Sequence, residues 1–268
     1  FLKNINHFHN SHIIQYYDYY VNIAVCHFPP LSIEWKNMIY RGIKTFKEQC
    51  GYDIDGVWYP RVTKIVDIKS KPALYRYYAE LGSFEKGESI KEKSANEGTL
   101  IHNTMERIMV GESVQIDPSI KPSVDAAQQF IKDHNIQIDP EYVEKRVVNK
   151  EHRYAGTVDS VALIDGKFGV LDIKTSLGIY RDFSLQISAY MDALRHELPG
   201  LQTRWILRID QFKTCSNCRS TFRSKGGRDK VRKPYPKPKN WEGCSEEQHD
   251  WSPLTGFVEL KEFPYWQN

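Results

Sequence analysis

Gly156-Thr157-Val158-Asp159-Ser160-Val161-Ala162-Leu163-Ile164-Asp165-Gly166-Lys167-Phe168-Gly169-Val170-Leu171-Asp172-Ile173-Lys174 is the stretch that decides the fold of this chain. Two apolar runs, Ala155 to Ile164 and Phe168 to Ile173, flank Asp165-Gly166, and an Asp-Gly pair between such runs predicts a hairpin. Residues two apart on a strand share a face, so Asp172 and Lys174 point one way while Leu171 and Ile173 point into the core. The turn brings Asp159 back to Asp172 across the ladder. Two carboxylates and an ammonium then converge where strands leave an apolar sheet, which is costly for like charges unless something binds them. Paired hard carboxylates suit Mg²⁺ or Mn²⁺. Lys174 is placed to orient or deprotonate an attacking water, or to stabilise charge on a phosphate. Taken alone, the same residues also describe a surface Asp–Lys pair and an unrelated Asp.

Before the hairpin the pattern is mostly helical. Ile33, Met38, Ile43 and Phe46 recur at helical spacing between Pro30 and Gly51. Trp58 to Val66 reads as a short extended piece, Leu74 to Leu81 as a helix opened by Lys71-Pro72-Ala73, and Gly82 to Ser94 as a charged linker. Glu97 to Val110 is expected to be a helix with Ile101, Met105, Ile108 and Met109 as its stripe and Gly111 as its stop. A further helix runs from Ser123 to His134 behind Pro122, with Ser123 as its cap. Strands are expected at Tyr142 to Asn149, on either side of the Asp-Gly turn, at Thr203 to Ile209 and at Phe257 to Phe263, with a helix from Asp182 to Glu197. Glu144, ahead of the hairpin, reads either as an extra carboxylate at the site or as an exposed strand position.

Four patterns stand in order along the chain. They are Gly98-Thr99-Leu100-Ile101-His102-Asn103-Thr104-Met105-Glu106 on a helix, Gly156-Thr157-Val158-Asp159, Asp172-Ile173-Lys174, and Gln186-Ile187-Ser188-Ala189-Tyr190 on the next helix. Together with Pro60-Arg61-Val62-Thr63 and Lys71-Pro72-Ala73-Leu74 ahead of them, they resemble the PD-(D/E)xK nuclease superfamily, and within it the RecB-like exonuclease branch, over Tyr59 to Ile209. Val158 stands where the superfamily name has Pro. The resemblance implies an α/β core with a central mixed sheet flanked by helices. It further implies His102, Asp159, Asp172 and the Ile173 carbonyl as Mg²⁺ or Mn²⁺ ligands, Lys174 as the catalytic lysine, and Gln186 and Tyr190 as residues that touch DNA or brace the active site. The implied activity is hydrolysis of DNA phosphodiesters, as an exonuclease on single-stranded or frayed DNA in repair, recombination or mobile-element processing. A relict nuclease core that only binds DNA, and RNA as the substrate, stand as alternatives.

Between the last two strands lies Lys213 to Pro253, of different composition. Cys215-Ser216-Asn217-Cys218 opens it and Cys244 with His249 closes it, three thiolates and one imidazole that form a tetrahedral zinc set. The resemblance also implies a less favoured alternative, a CRISPR-associated-type exonuclease whose iron–sulfur cluster would use Cys26 or Cys50 as a fourth thiolate, and unconnected thiols are the plain one. Arg219, Arg223, Lys225, Arg228, Lys230, Arg232, Lys233, Lys237 and Lys239 follow with one acid, Asp229, and with Phe222, Tyr235 and Trp241 between them. Cations with interleaved aromatics suit phosphates and stacked bases, so DNA contact by this run and Tyr235 is expected. A solvated linker, suggested by Pro234, Pro236 and Pro238, is the other reading.

The formal charge is only +3 over 268 residues, so the whole-chain balance does not announce a nucleic-acid partner. No apolar run reaches the ~18 residues of a membrane span. No secretory signal is expected behind Phe1, and five unevenly spread cysteines favour a reducing, cytoplasmic setting. His7, His9, His12 and His27 crowd the start beside a tyrosine cluster without metal-ligand spacing. The expected organisation is an extension and helix over 1–57, a nuclease core over 58–212 and 254–268, and a small zinc-ribbon-like insertion over 213–253.

Overall fold

The computed structural model describes residues 42–69 and 71–264. The chain divides into two compact units, Phe1–Gln49 and Cys50–Asn268. Of the first, the described residues form α1 (Ile43–Cys50), whose last residue already belongs to the second. The histidine and tyrosine cluster, Cys26, and the first half of the expected Pro30 to Gly51 helix lie outside the described residues.

The second unit is α/β, with a mixed central sheet flanked by helices. A hairpin of β1 (Gly51–Ile54) and β2 (Val57–Pro60) leads into α2 (Val62–Asp67), α3 (Pro72–Leu81), α4 (Phe84–Met109) and α5 (Lys121–Asp133). Then come β3 (Gln137–Ile138), β4 (Lys145–Asn149), β5 (Tyr154–Val158), β6 (Ser160–Ile164), β7 (Lys167–Lys174), α6 (Arg181–Leu194), β8 (Thr203–Thr214), β9 (Thr221–Lys225), β10 (Arg228–Arg232) and β11 (Thr255–Pro264). The main sheet has the order β10-β9-β8-β7-β6-β3, with β11 also on β8.

β7 decides where the chemistry sits. It runs antiparallel to β6, with Ser160 opposite Leu171, and parallel to β8 through α6, with Ile173 opposite Leu207. Both of its faces are covered, as a near-continuous apolar strand requires. On one side Leu171 and Ile173 pack with Ile101 and Met105 of α4 and Val124 of α5. On the other, Val161 and Val170 pack with Tyr190, Met191 and Leu194 of α6. Asp172 and Lys174 follow the parity of Val170 and lie on the α6 side.

Several elements differ from the sequence expectation. The charged linker Gly82 to Ser94 is the first half of α4, a 26-residue helix that continues into the expected Glu97 to Val110 segment. Its start is fixed by Ser83, whose side chain accepts the Lys86 N–H at 3.2 Å, and its polar residues are good helix formers. The extended piece ends at Pro60, after which Val62–Asp67 is helical. Ser123 is no cap: the helix begins at Lys121 with Pro122 in its first turn, and Ser123 is buried inside it. The long strand Ala155 to Ile164 is broken at Asp159, so that β5 pairs with β4 in a separate ladder while β6 stays in the main sheet. Part of the insertion also belongs to that sheet, because Lys213 and Thr214 at the end of β8 pair with β9.

Candidate metal centre and cationic cleft

The break at Asp159 builds the site. At the register where β6 has left, the Asp159 carboxylate accepts the Ile173 N–H at 2.7 Å, so a side chain replaces a missing strand partner for β7. The same Oδ2 lies 3.0 Å from Nε2 of His102, which α4 delivers from the opposite layer. His102 Nδ1 is 3.6 Å from Glu144, whose backbone N–H donates to the Asp159 carbonyl at 3.1 Å. Glu144 precedes β4 at a φ of 51°, a left-handed conformation rare for a non-glycine residue. Its place in the cluster selects the first of its two sequence readings.

Asp172 is fully buried, and Lys174 Nζ lies 2.5 Å from its Oδ2. That contact is an ion pair without an aligned hydrogen bond, and Oδ2 has no other partner. Oδ1 faces Gln186 Nε2 at 3.4 Å, and the same amide donates to Tyr190 Oη at 2.9 Å. Two close approaches hold these parts in place. A Cβ at Gly156 would meet the Tyr190 ring at 2.3 Å, and one at Gly98 would meet Thr175 Oγ1 at 2.5 Å. Both glycines of the sequence motifs therefore serve packing at the site.

The charges are strongly coupled. Burial, then the Asp159 carboxylate, pushes Asp172 up to about 7 despite Lys174. Burial also opposes ionisation of Asp159, but its hydrogen bond from His102 and the charges of Lys174 and His102 outweigh it and hold the carboxyl low. The Asp159 hydrogen bond raises His102 to about 9 against the effect of burial. Burial first, and then Asp159, lifts Glu144 to about 7. Lys174 is raised on balance because Asp172 and Asp159 overcome its desolvation.

His102, Glu144 and Asp159 offer ligand atoms all within 4.8 Å of one another. The expected set of His102, Asp159, Asp172 and the Ile173 carbonyl is thus met in part: Asp172 stands beside the triple, held by Lys174, and Glu144 joins it. The donor chemistry fits a hard divalent cation, with carboxylate oxygens and one imidazole gathered at one point.

Lys174 also lines a cleft of about 640 Å³ between α3, the first half of α4, the segment after β7 and the β9–β10 hairpin. Arg76, Lys91, Arg228, Lys230 and Arg232 contribute to its walls, with Glu80 as its acid. Of the cations expected to touch DNA, Lys230 lines the cleft exposed, Arg228 pairs with Glu80 at 3.3 Å and Arg232 donates to the Leu177 carbonyl at 3.0 Å. Lys225 is tied to the Thr175 carbonyl at the cleft wall. Arg219, Lys233 and Tyr235 are exposed, Tyr235 almost completely. Arg223 also lines the cleft but is held by acids of the protein itself. It is 6% exposed, and its guanidinium is taken up by Asp210 at 2.8 Å and by Glu97 of α4, so it braces β9 and offers little to a phosphate. Its partners lie far away in sequence, and nothing in the basic run singles it out. Cys215, Cys218, Cys244 and His249 come together at the far end of the hairpin module, also within 4.8 Å, and Cys50 is not among them.

No protein-family model matches this sequence, and no curated protein matches it. No helix among the described residues is long and apolar enough to cross a membrane.

Proposed function

We propose that this protein is a metal-dependent DNA nuclease of the PD-(D/E)xK type, acting as an exonuclease on single-stranded or frayed DNA. The observation that carries the reading is the convergence of Asp159, Asp172, His102 and Lys174 at one strand end that opens onto a cationic cleft. His102, Asp159 and Glu144, with Asp172 adjacent, would hold Mg²⁺ or Mn²⁺. Such an ion supplies Lewis-acid activation of water and neutralises charge on a phosphoryl oxygen.

The chain's own residues account for the rest. Lys174, buried beside Asp172, keeps its proton and presents a cation to the scissile phosphate, stabilising the charge that builds up during displacement. Gln186 steadies Asp172 and is itself held by Tyr190, so α6 fixes the carboxylate's direction. The hydrogen bond from Ile173 N–H locks Asp159 in the same way. In the cleft, Arg76, Lys230 and Lys91 attract phosphates.

The test is the purified full chain with Mn²⁺ on end-labelled linear and on closed circular single-stranded DNA. Loss of the linear substrate with the circle intact is expected. A cut circle would refute the exonuclease assignment, and no cleavage of either across Mg²⁺, Mn²⁺ and pH would refute the nuclease.

A further inference from the structure

Cys215, Cys218, Cys244 and His249 take no part in the nuclease reading, yet their ligand atoms meet. A tetrahedral ion with bonds of about 2.3 Å to sulfur and about 2.05 Å to nitrogen has S···S edges near 3.8 Å and S···N edges near 3.6 Å. Cys215 Sγ to Cys244 Sγ is 4.0 Å, and Cys218 Sγ to His249 Nδ1 is 3.6 Å. The first separation is about twice a disulfide bond. Both distances are those of two opposite edges of a zinc tetrahedron.

The chain around the cluster is shaped for this. The Cys215–Cys218 segment turns back on itself, with Arg219 N–H donating to the Cys215 carbonyl at 2.9 Å and Arg219 at a φ of 61°. Cys215 and Cys218 are buried, while Cys244 and His249 reach the same point after a long excursion. Trp241 closes over the turn by donating to the Cys218 carbonyl at 2.6 Å. Trp251 stacks on His249 at 4.4 Å and contacts Phe222 of β9 at 5.5 Å, while Cys215 forms a β-bridge to Trp251. The cluster therefore sits where β8 ends, β9 begins and the chain returns toward β11.

We propose that these four residues bind one zinc ion, and that the ion pins the β9–β10 hairpin, and with it the cations on the cleft wall, to the main sheet. Soft thiolates with one imidazole favour zinc over the hard cation proposed beside Lys174. Among the described residues a four-thiolate iron–sulfur cluster lacks its fourth sulfur, since Cys50 is not in the group and His249 takes the fourth place. The module has few apolar residues of its own to bury, which is the situation in which a metal supplies folding energy. This inference stands whether or not the protein cleaves DNA.

The full chain, purified without added metal, is assayed for metal content and visible absorption. About one zinc per chain and no colour are expected. Cys244→Ser should lose the zinc, whereas Cys244→His, which restores a ligand, and Cys50→Ser should keep it. Iron with absorption near 400 nm, zinc-free protein after refolding in zinc, or a full complement of zinc in Cys244→Ser would each overturn the assignment. For the pinning, chelation of the wild-type chain should speed tryptic cleavage after Arg223 and Lys225 at least about tenfold. Equal rates with and without zinc would overturn that part.

Discussion

Replacing Gly156 with Ala should damage the protein through one side chain, Tyr190. The new Cβ would lie 2.3 Å from Tyr190 Cε1, 3.1 Å from Cδ1 and 3.2 Å from Cζ, and neither partner can yield easily. Gly156 is held in β5 opposite Val147, and Tyr190 is 3% exposed within the cluster around Val158 and Val170. Overpacking of this kind costs about 1–3 kcal/mol. At 2 kcal/mol a unit of this size loses roughly 4–8 °C in Tm. The backbone at Gly156 does not need a left-handed φ, so the penalty belongs to the ring and not to the chain. Tyr190→Ala alone should cost about 3–5 kcal/mol. In that background Gly156→Ala should be neutral or slightly stabilising, giving a coupling of at least about 1 kcal/mol. Denaturant unfolding of the four proteins of the cycle measures it. Strict additivity would refute the claim that the glycine exists to admit the tyrosine. The single variant should also lose Mn²⁺-dependent cleavage, because a displaced Tyr190 releases Gln186 from Asp172.

In metal-free protein the His102 imidazole should titrate near 9 by NMR, well above its ordinary 6.5. A raised folded value means that its contribution to stability is fully present below about 6.5 and is lost as pH rises through 9; a midpoint near 6.5 would contradict the Asp159 hydrogen bond. Arg223→Ala should destabilise by about 3 kcal/mol in denaturant unfolding, because buried Asp210 then keeps only the 3.4 Å contact with Arg208 as its ion pair. Lys230→Ala, on the exposed cleft wall, should leave stability within about 0.5 kcal/mol. It should instead lower the salt dependence of single-stranded DNA binding by about one ion.

Local signals carried much of the fold. Asp165-Gly166 sets the β6–β7 turn, both residues at positive φ, and the Ile101 and Met105 stripe places the second half of α4 against the sheet. The first half of α4 has only Phe84, Ile90 and Ala95 among its polar residues, too few for a stripe; Ser83, three residues before the Lys86 amide that it caps, is the available sign. Gly226-Gly227 marks the β9–β10 turn, with both φ positive, but the flanking strands are rich in cations and show no apolar alternation. At the site, Asp172 and Lys174 share a face by strand parity alone. The strand break at Asp159 and the turn of Glu144 into the cluster depend on β5 leaving the main sheet for β4, a long-range choice that no short window of sequence contains. The same holds for the bonds of Arg223 to Asp210 and Glu97, which join three elements.

Lys174→Met, assayed side by side for Mn²⁺ binding and for cleavage of linear single-stranded DNA, tests the proposed active site most directly. The ammonium competes for Asp172, so its removal should leave Mn²⁺ affinity unchanged or tighter, while cleavage falls about 10²–10³-fold. Cleavage at the wild-type rate with Mn²⁺ bound would contradict the role given to Lys174 and, with it, the proposed active site.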